Sequence, residues 1–477
     1  IPDEVGSLMN LEWLGLGINM LNGTIPREIG NLVKLESLTL FRNVLTGTIP
    51  TEIGRLVNLQ WLDLISNRLT GSIPSEVGQL TNLHGLYFQY NTLDGSIPVE
   101  LGNLLNLRYL SFNNNSLTGT IPVEIGQLTR LRHLFLFTNY LTGPIPREIG
   151  QLVNMEMLVL FYNHLSGSIP SEIGQLRNLK SVHLGLNELT GTIPPEIGDL
   201  TNLVAVDLYR NTLTGPIPRE MGQLANLSWF LCRNNDLTGP VPIEANSWVN
   251  ITFFNVEENN LSGRIPPEIG ELQRLKFVML DHNALTGPIP KEVGNLTTLE
   301  GLYFNRNMLT GHIPSEIGNL VNVQYLYLYD NLLWGVIPVE IGLLVNMVRL
   351  YLYKNRLGGS IPRELGNLVS LQLIDLSDNG IKGQIPTELG SLVSLLVLDL
   401  HANALTGTIP LELGNLSAIN SIFLGGNRLT SRAKGMFNSS LMKHLEVLDL
   451  SDNLLSGEIG EDVFHLPALR VLALSGE

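Results

Sequence analysis

LESLTLFRNVLTGTIPTEIGRLVN, residues 35–58, is a unit of 24 residues that recurs along almost the whole chain. Its Ile-Pro pair, replaced once by Val-Pro, returns every 24 residues from residue 1 to residue 410. The chain therefore holds eighteen copies without an insertion or a deletion between them. A fixed period of this length is typical of proteins in which each repeat is one structural unit that stacks on the next.

The positions within a copy predict its local structure. In the first copy, where residue number equals position in the repeat, Leu14 and Leu16 alternate as the inward residues of a short strand. Asn19 follows and recurs in every copy, and its amide can satisfy the buried backbone groups of stacked turns. The segment LTGTIP predicts a second short strand. We expect Pro26 to occupy the first position of a short helical segment and Gly30 to end it.

A single unit is too small to bury its own leucines, so neighbouring copies must cover them from both sides. We therefore expect an α/β solenoid with a parallel β-sheet on its concave face, short second strands, and short 3-10 or α segments on its convex side. Residues 1–430 are expected to form the regular repeats. Residues 431–477 first lose the Gly-x-Ile-Pro motif and lengthen the period by two residues, so we expect an irregular C-terminal repeat or cap.

One copy inside the regular region departs from the pattern. In VPIEANSWVN, residues 241–250, Asn246 replaces the glycine at position 6 and Trp248 replaces the leucine at position 8. We expect a local bend or an altered flank at this copy.

The motif LxGxIPxEIGxLxxL resembles the plant-type leucine-rich repeat of receptor-kinase ectodomains, receptor-like proteins and polygalacturonase inhibitors. The resemblance covers residues 1–430, and it implies a right-handed leucine-rich repeat superhelix. It says less about function, because that family uses one scaffold for many ligands.

Cysteine usage sets this chain apart from most receptor-like members, which carry cysteine pairs in caps at both ends. The chain has one cysteine, Cys232, at a position that leucine fills in other copies, so we predict a buried free thiol. Neither a signal peptide nor a membrane-spanning run nor a kinase segment occurs in the sequence. We therefore expect a fragment of a longer protein, or a lineage that caps its repeats without disulfides.

The net charge of −15 comes from one repeated position. A glutamate stands at position 4 of all eighteen copies, and the 26 other acidic residues nearly balance the 29 Lys and Arg. Each of these glutamates lies near a predicted helix start, where negative charge is favoured. The alternative interpretation is that these glutamates form a row that binds cations or a partner protein. A nucleic-acid partner is disfavoured, because no basic stripe is present.

Aromatic residues concentrate where we expect the concave face. Positions 13, 15, 17, 18 and 20 hold 22 of the 31 aromatic residues, where even placement would give about six. Strand propensity explains part of this enrichment, but exposed aromatic residues with charged neighbours also form binding hot spots. The candidate ligand-binding residues are Phe135, Phe137, Tyr140, Phe161, Tyr162, Tyr209, Arg233, Glu257, Asp281, Tyr303, Tyr325, Tyr327, Tyr329, Tyr351 and Tyr353.

These residues form two clusters along the sequence, one between residues 135 and 162 and one between residues 303 and 353. Eight repeats separate them, roughly 38 Å at strand spacing, which an extended peptide of about twelve residues would span. The predicted ligand is a peptide or protein, with glycan as a further ligand class. A co-receptor and self-assembly are the other partners that we consider.

Eight sequons for N-glycosylation agree with an extracellular or cell-surface location, although asparagine is so frequent in this repeat that chance produces several. The acceptor residues are Asn22, Asn114, Asn226, Asn250, Asn260, Asn295, Asn415 and Asn438.

Enzyme motifs are missing from the sequence. Its nine histidines are scattered, and it has no nucleophile elbow, phosphate loop or metal-spaced set of His and Cys. We predict no enzymatic activity, no cofactor and no metal site.

We favour a non-enzymatic extracellular module, a receptor-like ectodomain, that binds a peptide or protein on its concave face. A structural scaffold that assembles through its flanks is the alternative. Ice binding is a minor one, because threonine pairs such as Thr46 and Thr48 share one flank, but Pro144 and Lys382 interrupt their array.

Overall fold

The computed structural model describes residues 1–243, 248–430, 437–456 and 460–475. The chain falls into two compact units, Ile1–Thr238 and Gly239–Glu477, here called unit 1 and unit 2. Asn246 and residues 431–436, on which part of the sequence interpretation depends, lie outside the described residues. The expected division at residue 430 remains a prediction.

Unit 1 contains a parallel β-sheet in which each strand pairs with the same strand of the next repeat. Trp13 pairs with Ser37 and Ser37 pairs with Trp61, so the register advances by one whole repeat at each step. The ten strands are Trp13–Gly15, Ser37–Thr39, Trp61–Asp63, Gly85–Tyr87, Tyr109–Ser111, His133–Phe135, Met157–Val159, Ser181–His183, Ala205–Asp207 and Trp229–Leu231.

Unit 2 contains parallel strands of the same kind. Their register also advances by whole repeats, as where Val397 pairs with Ser421. Ser421 in turn pairs with Val447, a step that includes the lengthened spacing seen in the sequence. The ten described strands are Phe253–Asn255, Phe277–Met279, Gly301–Tyr303, Tyr325–Tyr327, Arg349–Tyr351, Leu373–Asp375, Val397–Asp399, Ser421–Phe423, Val447–Asp449 and Val471–Ala473.

Second strands form at the LTGxIP segment in many of the described repeats, as predicted. They also pair in parallel, for example Thr70 with Thr92 and Ser262 with Ala284. The second strands are Thr70–Ser72, Thr92–Asp94, Thr142–Gly143, His164–Ser168, Glu188–Thr190, Thr214–Pro216, Asp236–Gly239, Asn260–Arg264, Ala284–Pro288, Met308–Thr310, Trp334–Val336, Arg356–Gly358, Lys382–Gly383, Ala404–Gly407 and Arg428–Leu429.

Short 3-10 helices follow the Ile-Pro pairs, and a last one follows Gly460. Those of unit 1 are Asp3–Ser7, Arg27–Asn31, Thr51–Arg55, Ser75–Gln79, Val99–Asn103, Val123–Gln127, Arg147–Gln151, Ser171–Gln175, Pro195–Asp199 and Arg219–Gln223. Those described in unit 2 are Pro267–Glu271, Lys291–Asn295, Ser315–Asn319, Val339–Leu343, Arg363–Asn367, Thr387–Ser391, Leu411–Asn415 and Glu461–His465.

The structure corrects two expectations about these helices. Pro26 is the N-cap and not the first helical residue, because its ψ of 144° belongs to the extended segment before Arg27. Gly30 lies inside the helix and does not end it. A Cβ atom on Gly30 would lie 2.5 Å from the carbonyl oxygen of Glu52, so glycine is required here by the close approach of the next repeat.

The core lies between the main strands and the helices, and it consists of the repeated leucines and isoleucines. Leu35, Leu38, Leu40 and Leu45 are all 0% exposed, and the same positions are buried in the later regular repeats, whereas in the first copy they are half-buried. Burying one such side chain contributes roughly 1.5–3 kcal/mol, so the stacked repeats hold each other together mainly through this core.

The asparagine at position 19 connects consecutive repeats, as predicted. The Nδ2 atom of Asn43 donates to the carbonyl oxygens of Leu16 and Leu40 at 2.9 and 3.0 Å. Its Oδ1 atom accepts a hydrogen bond from the backbone N–H of Leu21 at 2.9 Å. Because the same bonds recur along both units, these side chains form an asparagine ladder that satisfies the buried turns.

The residue before each ladder asparagine has a left-handed backbone. In seventeen of the described repeats, position 18 has a φ angle between 50° and 59°, although its residues include Ile18, Tyr162 and Leu186. A side chain other than glycine is uncommon in this region. The chain therefore turns sharply at position 18, and residues beyond it no longer continue the strand.

Candidate functional site

The outward face of each main sheet is formed by positions 13, 15 and 17. In the strand Tyr325–Tyr327, the middle residue Leu326 is buried and the two tyrosines are half-buried. The same alternation in neighbouring strands places side chains of equal position next to each other, because the register advances by whole repeats.

Unit 2 brings the six tyrosines predicted between residues 303 and 353 into one tyrosine cluster. Ring centroids lie 4.8 Å apart for Tyr303 and Tyr327, 4.7 Å for Tyr327 and Tyr351, and 4.4 Å for Tyr329 and Tyr353. The ring of Tyr325 lies 6.4 Å from that of Tyr327. All six side chains are half-buried, so each presents part of its ring to solvent.

Burial raises the pKa of Tyr303, Tyr329, Tyr351 and Tyr353 above the ordinary value. Their hydroxyl groups therefore stay protonated at neutral pH and can donate hydrogen bonds. The pKa of Arg349 is raised, chiefly by its interaction with Tyr327, so a cation stands at one side of the cluster. Gly301 leaves space for the rings, because a Cβ atom there would lie 2.6 Å from Tyr303.

The acidic candidates lie on the side of the cluster that precedes it in sequence. Asp281 is only 8% exposed, whereas Glu257 is half-buried. The Oδ2 atom of Asp281 lies 2.9 Å from Nδ1 of His282, whose Nε2 atom contacts the guanidinium of Arg306. Burial, aided by the charge of Glu257 and opposed by His282, raises the pKa of Asp281 to about 6.

Unit 1 does not bring the five residues predicted between 135 and 162 into one cluster. The rings of Phe137 and Phe161 stack with centroids 4.6 Å apart. Tyr140 and Tyr162 instead line a separate cavity of about 170 Å³, together with Thr138 and His164 among others. The left-handed turn at position 18 explains this division, because it directs residues after position 17 away from the strand row.

Phe135 belongs to an aromatic row that sequence reasoning did not identify as a site. The ring centroids of Trp61 and Tyr87 lie 6.3 Å apart with planes only 4° from parallel. Tyr109 lies 6.4 Å from Tyr87, and His133 connects it to Phe135. The signal was present in the sequence, because these residues occupy positions 13 and 15 of consecutive repeats.

Tyr209 and Arg233, the other candidates in unit 1, contact each other. The Cζ atom of Arg233 lies 5.6 Å from the centroid of the Tyr209 ring, in cation–π geometry. They form a pair at position 17 of adjacent repeats.

Glutamates at position 4 stand in the first turn of the 3-10 helices, as predicted. The Oε1 atom of Glu28 accepts a hydrogen bond from Nε of Arg27 at 3.0 Å, and Glu148 accepts one from Arg147 at 3.2 Å. These carboxylates therefore have local partners. Cys232 is a buried free thiol, and burial raises its pKa well above the ordinary value.

The aspartates on the later strands of unit 2 stabilise turns. The Oδ1 atom of Asp375 accepts hydrogen bonds from the backbone N–H and the hydroxyl of Ser377, at 3.0 and 2.6 Å. Asp449 has the same two bonds with Ser451. These aspartates therefore have a structural role.

The acceptor asparagines of the sequons differ in exposure. Asn114 and Asn250 are half-buried, and Asn114 also has the left-handed backbone of position 18. The exposed ones are Asn22, Asn226, Asn260, Asn295, Asn415 and Asn438.

Two kinds of feature are absent from the described residues. Within that part of the chain, no three His, Cys, Asp or Glu side chains come together as ligands for a metal ion. Across the same ranges, every helix is too short or too polar to cross a membrane.

Family models match most parts of the chain. A leucine-rich repeat region matches residues 28–142, and a leucine rich repeat model matches residues 417–477. Single leucine-rich repeats match residues 154–176, 178–200, 298–320, 346–368, 370–392 and 394–416. Among curated protein sequences there is no match.

Solved structures of plant receptors are similar over the whole chain. The Arabidopsis receptor kinase HAESA, in complex with the peptide hormone IDA and the co-receptor SERK1, is 33% identical with a TM-score of 0.90. This chain is covered completely in that match and covers 80% of HAESA. The PEPR1–AtPEP1 structure is 32% identical with a TM-score of 0.80, and the match covers 100% of this chain and 73% of PEPR1.

The ectodomain of the Arabidopsis thaliana receptor kinase GASSHO1/SCHENGEN3, in complex with CASPARIAN STRIP INTEGRITY FACTOR 2, is 35% identical with a TM-score of 0.80. The match covers 99% of this chain but only 62% of the GASSHO1 chain, so the present sequence spans less than two thirds of that relative.

Proposed function

This chain belongs to the plant-type leucine-rich repeat family, and we propose that it is a non-enzymatic, extracellular recognition module that binds a peptide or protein. The observation that carries the proposal is the tyrosine cluster of unit 2, in which six half-buried rings contact each other on the outward face of adjacent strands. The solved relatives HAESA and PEPR1 support it, because HAESA was determined with a peptide hormone and PEPR1 with AtPEP1.

Tyrosine suits such a surface for physical reasons. Each ring offers a large apolar area, and each protonated hydroxyl can donate to a peptide carbonyl. Because the rings of Tyr327, Tyr351 and Tyr303 already pack on each other, few side chains need to be ordered when a ligand binds. Arg349 adds a cation at the edge of the cluster, as is common in interface hot spots.

The proposed partners are a peptide or protein ligand and, by analogy with HAESA, a co-receptor. An extracellular or cell-surface location fits the six exposed sequon asparagines. The remaining candidate residues are proposed as further contacts. They are Phe135, Phe137, Tyr140, Phe161, Tyr162, Tyr209 and Arg233 in unit 1, and Glu257 and Asp281 in unit 2.

A capture experiment tests the proposal. The protein is immobilised and exposed to extracellular fluid of its source tissue, and retained peptides and proteins are identified by mass spectrometry. The variant Tyr327→Ala/Tyr329→Ala/Tyr351→Ala should lose the ligand that the wild type retains. Circular dichroism should show the same fold for both proteins, because these side chains lie outside the core.

The matched control removes three exposed aromatic residues of unit 1 that are not candidate ligand contacts, Trp13, Tyr90 and Trp229. It should retain the ligand as the wild type does. Equal capture by the wild type and the cluster variant would overturn the proposal. Self-association without any ligand would instead favour the structural scaffold.

A further inference from the structure

Two buried oxygen atoms beside the tyrosine cluster have no hydrogen-bond partner. They are Oδ1 of Asp281 and Oδ1 of Asn305, and these residues are only 8% and 2% exposed. Among the described residues only two other buried side-chain atoms lack a partner, in Gln89 and Ser181 of unit 1. Leaving a buried acceptor unpaired costs free energy, so two of them together call for an explanation.

The two acceptors are neighbours. Asp281 and Asn305 both occupy position 17, and the strands that precede them, Phe277–Met279 and Gly301–Tyr303, pair in parallel. Equivalent residues on adjacent parallel strands lie about 4.8 Å apart. Their oxygens therefore share one small region of the outward face.

The local hydrogen bonds leave the negative charge of Asp281 without a direct cationic partner. Arg306 can only donate, so the Nε2 atom of His282 accepts from it and the ring proton lies on Nδ1. That Nδ1–H group donates to Oδ2 of Asp281 at 2.9 Å. A neutral imidazole thus donates a hydrogen bond to Oδ2 of Asp281, whereas Oδ1 of Asp281 has no hydrogen-bond partner.

Aromatic rings stand beside this acceptor pair. Tyr329 occupies position 17 of the repeat after Asn305, and the strands of these repeats pair in register, so Asp281, Asn305 and Tyr329 follow one another in a single row. The Cζ atom of Arg306 lies 5.9 Å from the centroid of the Tyr329 ring, so this ring already faces a cation. Anionic and amide oxygens next to an aromatic face are the groups that recognise ammonium and guanidinium ions.

We propose that Asp281 and Asn305, with the ring of Tyr329, form a subsite for a cationic group of the bound ligand, a guanidinium or an ammonium. The subsite rests on the proposed function and specifies it: the peptide carries a positive charge next to the segment that contacts the tyrosine cluster. The cation donates to the two unpaired oxygens and neutralises the carboxylate.

Arg306 lies beside the subsite, because it contacts His282 and the ring of Tyr329. Both acceptor oxygens are covered, so a neighbouring side chain must turn aside before a ligand reaches them. The side chain of Arg306 is 50% exposed and carries the same charge as the ligand group. Removing it takes away a competing cation beside the subsite.

The test uses short blocked peptides as probes at pH 7.5, where Asp281 is a carboxylate. Acetyl-Gly-Arg-Gly-amide and its lysine analogue carry a side-chain cation, the citrulline analogue is neutral and nearly isosteric, and unblocked Gly-Gly-Gly-amide carries only an N-terminal ammonium. Binding is followed by nuclear magnetic resonance of the tyrosine ring protons. Comparison of the charged probes shows which cation the subsite takes.

We expect the arginine peptide to bind at least about tenfold more tightly than the citrulline peptide. Asp281→Asn should remove that difference, and Arg306→Ala should strengthen binding of the arginine peptide. Asp399→Asn, in the same sheet but with its own partner His401, is the matched control and should change nothing.

Equal binding of the arginine and citrulline peptides, or no binding of any charged probe to the wild type at millimolar concentration, would overturn the subsite. These results leave capture by the tyrosine cluster untouched, so failure of the subsite and failure of the proposed function are distinguishable. The probe comparison on the wild type decides the matter even if a variant does not fold.

Discussion

Glycine at position 6 shows how closely neighbouring repeats approach. A Cβ atom added to Gly126 would lie 2.6 Å from the carbonyl oxygen of Glu148 and 2.8 Å from the Cβ atom of Glu148. Backbone atoms cannot move aside as a flexible side chain would. The sequence showed that glycine recurs at this position but not why, because the reason lies in the next repeat and not in the helix itself.

The substitution Gly126→Ala should therefore destabilise the protein by about 1–3 kcal/mol, the usual cost of inserting an atom into a packed region. Gly358→Ala is the control, since a Cβ atom there would approach no other atom closer than 3.8 Å. Urea unfolding followed by circular dichroism measures both free energies. Similar values for the two variants would contradict the packing argument.

Asp281 is a residue whose burial reduces stability at neutral pH. Its pKa of about 6 in the folded protein exceeds the ordinary 3.8, so the native state holds the proton more tightly than the unfolded state does. The resulting stabilisation is fully present below pH 4 and is lost as the pH rises through 6. Asp281→Asn should raise the stability by roughly 2 kcal/mol at pH 7.5 relative to its effect at pH 4.

Thermal unfolding of Asp281→Asn and wild type at both pH values checks this expectation. The asparagine oxygen can still accept the hydrogen bond from His282, so the substitution removes the charge with little other change. A stability difference that does not vary with pH would show that the carboxylate is not the cause. A cost in stability at this residue would fit a role in binding.

At the scale of the element, the turn after each main strand is the feature that sequence reasoning described least completely. The asparagine at position 19 was interpreted correctly, because its donors and acceptor match the needs of a buried turn. The left-handed backbone of position 18 was not foreseen, since residues as different as Ile18, Thr138 and Tyr162 occupy it. The hydrogen bonds of the asparagine ladder, and not the side chain at position 18, therefore fix the left-handed backbone of that position.

This turn makes a prediction at position 18. Thr138 is β-branched and has a φ of 55°, a conformation that asparagine adopts at lower cost. Thr138→Asn should stabilise the protein by about 0.5–1 kcal/mol. The reverse change Asn234→Thr, at the same position, should destabilise it by a similar amount.

Chemical denaturation of both variants measures these effects. Opposite signs are the essential outcome, because the left-handed backbone favours asparagine over threonine at both residues. Changes of the same sign in the two variants would mean that contacts of the side chains outweigh the backbone preference.

The same turn explains why one aromatic cluster could be foreseen and the other could not. Tyr303, Tyr327 and Tyr351 follow one row of consecutive repeats, so the period alone brings them together. Tyr140 and Tyr162 lie at or beyond the left-handed residue, where alternation no longer describes side-chain direction. The sequence did not indicate Asn305, because an oxygen without a hydrogen-bond partner can be recognised only in the three-dimensional structure.

At the scale of the whole molecule, the period predicted most of the fold. Within each unit, the described main strands of the regular repeats pair with their counterparts in the next repeat, and even the lengthened spacing before Val447 appears in the register. The division at residue 238 was not predicted from the pattern, although it precedes the irregular copy 241–250 closely. Local regularity says little about such a division, which depends on the sum of many contacts.

Glycosylation is a property of the molecule's surface, and exposure should decide which sequons are used. We expect glycans on the exposed Asn22, Asn226, Asn260, Asn295, Asn415 and Asn438 when the protein is secreted from plant cells. Asn114 should remain unmodified, because it is half-buried and held in the left-handed turn. Glycopeptide mass spectrometry measures occupancy, and a fully occupied Asn114 would contradict this expectation.

The constant register has a mechanical consequence. Among the described residues of each unit, the main-strand hydrogen bonds join a repeat to its immediate neighbours, so tension on the chain would unfold one copy at a time. Each released copy would lengthen the chain by about 80 Å. Under load, the proposed recognition surface would therefore lengthen in equal steps, while the copies that remain folded keep their outward faces intact.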